Sequence, residues 1–283
     1  RPPRSTLFPY TTLSDLTGAS GFVASHLIKE FNDYIIIDRN DNEDDILEKL
    51  KDVDAVFNLA GAPIIKKWNE EYKKTLVSSR IDTTKKLVNA INKSDVGYFI
   101  STSAIGAYPN DAKYDESFQS YGDDFLASLT KEWEAEALKC NKKTAIVRFG
   151  VILGKEGGAL KQMLTPFKLG LGGTIGNGKM MTSWIDIDDL VNIYLYLSEN
   201  KLTGIFNATA PKPVSNYEFT KALGKTLNRP TVFPIPTFVL KLIFGEASSV
   251  LTDSKEVYPK ALENSGFEFK YKTIEKSLEH LLK

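Results

Sequence analysis

One cysteine, Cys140, and two histidines, His26 and His280, are all the soft metal ligands that this 283-residue chain contains. A single thiol makes neither an internal disulfide nor a metal cluster, and two histidines so far apart have no ligand-like spacing, so no metal site is expected. An excess of either charge is missing too: 36 Lys and Arg stand against 36 Asp and Glu. That balance removes the electrostatic footprint of a nucleic-acid binder and of a polybasic membrane patch, so neither nucleic acid nor membrane is expected as a partner. No apolar run is long enough to span a bilayer, and with a single cysteine the expected setting is cytoplasmic. The chain also lacks an initiator Met, and in RPPRSTLFPYTTLSDL only Leu13 and Leu16 carry an apolar pattern. A central parallel strand runs nearly all apolar, so residues 1–10 are read as a non-native or disordered tail, a translated cloning scar, or else a natural extension.

What remains is an ordinary globular composition, 42% hydrophobic and 25% charged, long enough for one large α/β domain or a nucleotide-binding domain with a smaller partner. Short strand-like runs recur at Tyr34–Asp38, Ala55–Leu59, Tyr98–Ser103, Thr144–Phe149 and Gly204–Ala208, with helical stretches between them. This alternation predicts βαβ units and a doubly wound parallel sheet of Rossmann type. One long helix is expected over Trp68–Asn92, and a short one over Asp44–Leu50 in a connection with no room for a further strand. In the next helix Phe125, Leu129, Trp133 and Ala137 share a face. The nucleotide-binding domain is placed at 11–153. A loop-rich, glycine-rich substrate-side region follows at 154–283, interleaved with the sheet. Ser215 and Glu218 form a capping box for a further helix.

The sharpest local signal is Thr17-Gly18-Ala19-Ser20-Gly21-Phe22-Val23-Ala24. Gly18 permits the tight turn, Gly21 lets the backbone approach a pyrophosphate, and Ala24 lets the helix pack closely. Asp38 ends the following strand twenty positions after Gly18, where an acidic residue meets the adenosine ribose, while Arg39 beside it suits a 2′-phosphate. On these two residues NAD and NADP are evenly matched.

Further segments accumulate: Asn58-Leu-Ala-Gly-Ala-Pro63, Ser79-Arg-Ile-Asp-Thr-Thr84, Ser101-Thr-Ser-Ala-Ile-Gly-Ala-Tyr108, Trp133-Glu134, Arg148-Phe-Gly-Val-Ile-Leu-Gly154, Gly157-Gly-Ala-Leu160 and Trp184-Ile-Asp-Ile-Asp-Asp189. Together they resemble the atypical extended short-chain dehydrogenases called epimerase family proteins, related to NAD-dependent epimerases and dehydratases. The tail from Pro234 through Phe244-Gly-Glu246 to Gly266-Phe267 resembles the C-terminal domain of unknown function in that subgroup. The resemblance implies cofactor contacts at Gly18, Ser20, Gly21, Phe22, Val23, Arg39, Leu59, Ala60, Gly61, Arg80 and Val151. It also implies NADP, because Arg39 and Arg80 stand where that subgroup has arginines; Asp38 departs from its pattern and keeps NAD possible.

Typical short-chain dehydrogenases add a Ser, a Tyr and a Lys four residues after the Tyr, whose charge lowers a phenol pKa that is otherwise near ~10. Ser103, with Thr102 as competitor, stands where the Ser belongs. The expected helix reads Tyr121-Gly-Asp-Asp-Phe125 and supplies no Lys, and the Tyr217–Lys221 pair lies too far along the chain. Tyr108 is the best spare phenol, Asp186 and Asp188 are further candidate acids or bases, and Asp189 is expected to cap its helix. The expected activity is an NADP(H)-dependent oxidoreductase or epimerase-like reaction on a small or nucleotide-sugar-like substrate. The alternative is a catalytically silent NADP-binding sensor or interaction protein.

Overall fold

The computed structural model describes residues 14–283, so the expectation for residues 1–10 lies outside the described residues. The first unit runs β1 (Ser14–Thr17), α1 (Phe22–Leu27), β2 (Tyr34–Ile37), α2 (Glu43–Lys49) and β3 (Ala55–Asn58). The second runs α3 (Glu70–Ser78), α4 (Ile81–Asn92), β4 (Tyr98–Ala104), a short β5 (Ala112–Tyr114), α5 (Phe125–Ala137) and β6 (Lys143–Phe149). After these come β7 (Val151–Leu153), α6 (Gly158–Lys168), β8 (Met181–Thr182), β9 (Trp184–Asp186), α7 (Ile187–Asn200) and β10 (Gly204–Ala208). The C-terminal part holds β11 (Val214–Ser215), α8 (Asn216–Thr226), α9 (Thr237–Phe244), α10 (Ser249–Thr252), β12 (Lys255–Val257), α11 (Lys260–Ser265) and α12 (Ile274–Leu282).

Six strands form one parallel sheet in the order β10-β6-β4-β3-β1-β2. Alternate residues feed opposite faces, the period-two rule of a strand. Phe57, Tyr98, Ile100 and Val147 enter the core shared with α7 and the C-terminal segment. Val56, Phe99 and Ile146 enter the core shared with α2 and α4. Helices therefore cover both faces, which is the doubly wound α/β arrangement expected. The short connection after β2 holds α2 alone, so the chain crosses from β2 to β3 on the far side of β1. This reversal puts a topological switch point between β1 and β3, and crevices at such points take ligands.

Three expectations need correction. The stretch from Trp68 to Asn92 is not one helix: α3 ends at Ser78, and Ser79-Arg80 form a turn with Arg80 (φ −109°, ψ −61°) at the N-cap of α4. Its polar positions there turn inward instead of continuing a solvated face. The glycine-rich stretch after Gly154 is not all loop, because α6 occupies Gly158–Lys168. Asp189 does not cap α7. Asp186 does, accepting from the Asp188 N–H at 2.9 Å, while the Asp189 carboxylate accepts the N–H groups of Lys270 and Tyr271 at 2.9 Å each. The capping box of Ser215 and Glu218 forms as expected. From the region after residue 154, β10 adds the edge strand beside β6 and α7 packs on one face of the sheet.

Candidate active site

The glycine turn leaves β1 at the switch point. Gly18 has φ +70°, and a Cβ there would come within 2.7 Å of the Leu59 carbonyl oxygen. Only glycine combines this conformation with this approach. The Gly21 N–H donates to the Gly18 carbonyl at 2.8 Å, closing the turn beneath the first turn of α1. Ser20 and Gly21 are exposed, whereas Phe22 and Val23 are half-buried. The Phe22 ring lies where a Cβ on Gly154 or Gly157 would sit, so these glycines let the later loop close over α1.

A buried polar chain fixes the turn against its neighbours. Thr17 Oγ1 donates to Asn58 Oδ1 at 2.7 Å and accepts the Leu59 N–H at 3.0 Å. Asn58 Nδ2 and Trp133 Nε1 both donate to Thr84 Oγ1, at 2.7 and 2.9 Å. This chain locks the Leu59-Ala60-Gly61 backbone beside Gly18. Satisfied polar networks of this kind rigidify the groups they hold.

At the end of β2, Asp38 and Arg39 are both exposed. One Asp38 oxygen accepts the Asn40 N–H at 2.9 Å, and the Arg39 carbonyl accepts from Lys86 Nζ at 3.1 Å. Lys86, which comes from α4 and was not anticipated from the sequence, therefore adds a second cation beside Arg39.

Arg80 lies under the Gly61 end of the crevice, its guanidinium 5.4 Å from the Trp133 ring centre. It donates to the carbonyls of Ala62 at 2.9 Å and Leu76 at 3.3 Å. Burial pushes its pKa down to about 10, and among the described residues no carboxylate pairs with it. Arg80 is half-buried, and a partly desolvated cation without an anion is costly unless a ligand supplies one. Val151 stands half-buried at the start of β7, its N–H bonded to the Ser183 carbonyl at 2.8 Å. The open glycine cradle and this unpaired guanidinium both fit a phosphate-bearing dinucleotide.

Ser103 and Tyr108 lie deeper than a freely accessible pair. Ser103, 1% exposed, donates to Glu134 Oε1. Arg148 holds both Glu134 oxygens at 2.8 Å, and the Tyr121 hydroxyl donates to Oε2 at 2.7 Å. Tyr108 has no exposed surface, and its hydroxyl donates to Asn207 Oδ1 at 3.0 Å beside the Arg148 guanidinium. Burial raises the Tyr108 pKa, and burial together with the Glu134 acceptor pushes Tyr121 up to about 12. Tyr121 is half-buried and is the phenol of this network nearest to solvent. Its link to Glu134 could not be read from sequence spacing, because it joins a loop to a residue three helical turns along α5.

Asp186 and Asp188 stand apart from this network, at the start of α7. Asp186 accepts from Ser277 Oγ as well as from the Asp188 N–H, and Asp188 pairs with His280 Nε2 at 3.0 Å. Burial pushes the Asp186 carboxyl up to about 6 from its ordinary 3.8. A raised native pKa favours the neutral acid, so its contribution to stability is full below about 3.8 and is lost as pH rises through about 6. Asp186→Asn keeps a cap acceptor and is expected to remove that fall from a plot of melting temperature against pH. A fall that persists in the variant assigns it to other groups.

The comparisons with known proteins agree with this architecture. An epimerase family protein of Staphylococcus aureus is 34% identical over 295 residues, covering 95% of this chain and 98% of that protein. The chloroplastic SDR39U1 homolog of Arabidopsis thaliana is 42% identical over 237 residues, covering 81% of this chain and 68% of that protein. Among solved structures, human epimerase family protein SDR39U1 with NADPH superposes with a TM-score of 0.88 at 30% identity, covering 95% of this chain and 98% of that one. A dTDP-4-dehydrorhamnose reductase of Bacillus anthracis shares the fold alone, at TM-score 0.79 and 17% identity. Residues 235–281 match a domain of unknown function, DUF1731. With residues 16–209 matching its family model, the chain belongs to the NAD dependent epimerase/dehydratase family.

Proposed function

We propose that this protein is an NADP(H)-dependent oxidoreductase or epimerase-like enzyme acting on a small or nucleotide-linked carbonyl or sugar. The observation that carries the reading is the Gly18 cradle against Leu59, flanked by Arg39 and Lys86 on one side and the unpaired Arg80 on the other. The exposed Arg39 just after β2, with the half-buried Lys86 of α4 beside its backbone, suits a 2′-phosphate, and the human relative of the same family was solved with NADPH. Asp38 has one oxygen occupied by Asn40, which weakens its claim on a free ribose hydroxyl.

When bound, the nicotinamide supplies or accepts hydride. The chain's own contribution is then the Ser103–Glu134–Tyr121 network. In carbonyl reduction Ser103 turned toward the substrate gives its proton to the carbonyl oxygen and is reprotonated through Glu134 by the half-buried phenol of Tyr121, which regains its proton from solvent; oxidation runs the same path in reverse. Tyr121 replaces Tyr108 in this role, since the Tyr108 hydroxyl is enclosed and committed to Asn207. A panel of carbonyl compounds is expected to include substrates that drive steady NADPH oxidation. Ser103→Ala and Tyr121→Phe should each lower that kcat by about a hundredfold, the scale of general acid catalysis. Variants that turn over like the parent protein overturn these roles.

A second reading, a silent NADP-binding sensor, is favoured by one observation. Leu126 and Thr130, four apart on α5, are the side chains that face Gly106 just beyond Ser103, and neither carries a titratable proton at neutral pH. Cofactor binding without oxidation across the panel selects this reading.

A further inference from the structure

The chain is neutral as a whole, but one face is not. No Asp or Glu occurs from Gly157 to Ile185, and none from Phe219 to Gly245. The first stretch carries Lys161, Lys168 and Lys179, and the second carries Lys221, Lys225, Arg229 and Lys241, all exposed. The fold joins the two stretches. The Ile235 N–H donates to the Thr174 carbonyl at 2.7 Å, the Gly176 N–H donates to the Ile235 carbonyl at 2.9 Å, and Arg229 Nε donates to the Lys168 carbonyl at 2.7 Å. Of the four bounding acids, Glu218 is held in the cap of α8, Asp186 is buried in the cap of α7 and Glu246 pairs with Lys73 at 2.7 Å, whereas Glu156 is exposed.

Large apolar side chains project from this basic surface. Leu169, Leu171, Phe233, Phe238 and Leu242 are 69%, 61%, 64%, 69% and 78% exposed. Helix α9, Thr-Phe-Val-Leu-Lys-Leu-Ile-Phe, has no buried residue. Its Phe238 and Leu242 are one turn apart on a shared face, with Lys241 next to Leu242. Exposed apolar clusters with a rim of like charge mark interaction surfaces.

We propose that this face docks the protein on an anionic lipid bilayer, with Phe238, Leu242 and the Leu169–Leu171 loop entering the headgroup region and the cations meeting lipid phosphates. Charge selects this occupant. A second copy placed symmetrically on the face would set its cations against an identical set with no acid between them. A protein helix seeks a groove, whereas Phe238 and Leu242 project together from a helix that has no buried residue. The proposal departs from the expectation of no membrane partner, which rested on whole-chain charge; the total averages this face with an acidic remainder.

The test is sedimentation of the full chain with vesicles of phosphatidylcholine alone, and with about one-third phosphatidylglycerol, at ~0.1 M and ~0.5 M salt. At least roughly tenfold more protein is expected on the anionic vesicles at low salt, and this preference should fall as salt rises. The double variant Phe238→Glu/Leu242→Glu should cut the bound fraction about tenfold or more with far-UV dichroism and melting temperature retained. The variant Lys168→Gln/Lys225→Gln/Lys241→Gln should lose the preference for anionic lipid. No vesicle binding, or equal binding to both compositions, overturns the proposal. So does a parent dimer that the Phe238/Leu242 variant dissociates, which gives the face to a second copy. Binding to polyglutamate as strong as to vesicles, and unaffected by the Phe238/Leu242 variant, gives it to an acidic protein and also overturns the proposal.

Discussion

Glu134→Ala is expected to lower folding stability by about 3–5 kcal/mol, the cost of removing one partner from a buried ion pair. Arg148 is 3% exposed and Glu134 1%, so the guanidinium left behind cannot turn to solvent. The Ser103 and Tyr121 hydroxyls lose their acceptor in the same step. For a chain of this size the melting temperature should fall by roughly 6–20 °C. Replacing Glu134 and Arg148 together by Leu and Met should recover much of that loss, because no unpaired charge remains. Thermal unfolding followed by circular dichroism checks both variants. A Glu134→Ala protein that melts within about 2 °C of the parent contradicts a structural role for the pair.

Arg80→Met is expected to do the reverse, sparing the fold and weakening the cofactor. The native guanidinium is half-buried without a carboxylate partner among the described residues, and desolvation pushes its pKa down to about 10. Methionine removes that desolvation cost, offsetting the hydrogen bonds lost to Ala62 and Leu76, so the melting temperature of the free protein should shift by only a few degrees. A charge-assisted hydrogen bond contributes about 1.5–3 kcal/mol, so the NADPH Kd should rise by roughly ten- to a hundredfold. Titration of the variant by tryptophan fluorescence reads this directly. Unchanged affinity with a much lower melting temperature makes Arg80 a packing residue.

These two arginines show what was legible in the sequence. The five later sheet strands announced themselves as short β-branched and aromatic runs between amphipathic helices, and the Gly18 turn by glycines at fixed offsets. Those signals are local, since each follows from backbone geometry within a few residues. Arg80 came only from a resemblance, and its burial contradicted the single long helix expected around it. Nothing local in Ser79-Arg80 announces the break; contact with Gly61 and Trp133, far along the chain, keeps the guanidinium inside. The same holds for Tyr121, Glu134 and Arg148, which belong to a loop, a helix and a strand and meet only once β4 and β6 are paired. Asp189 failed as a cap for a similar reason, because the chain from Lys270 to Tyr271 folds back and takes its oxygens. Side chains satisfied by distant segments leave no periodic trace.

The central claim is that the crevice between β1 and β3 binds NADP(H). The most direct test is a thermal-shift titration of the full chain with NADPH and NADH in parallel. A ligand bound only by the native state stabilises it by about 2.7 kcal/mol at a hundred times Kd, a shift of several degrees here. The account predicts a clear rise with NADPH and a smaller one with NADH, a difference that Arg39→Ala should erase. No shift with either nucleotide would contradict it, and an equal shift with both would contradict the role given to Arg39 and Lys86.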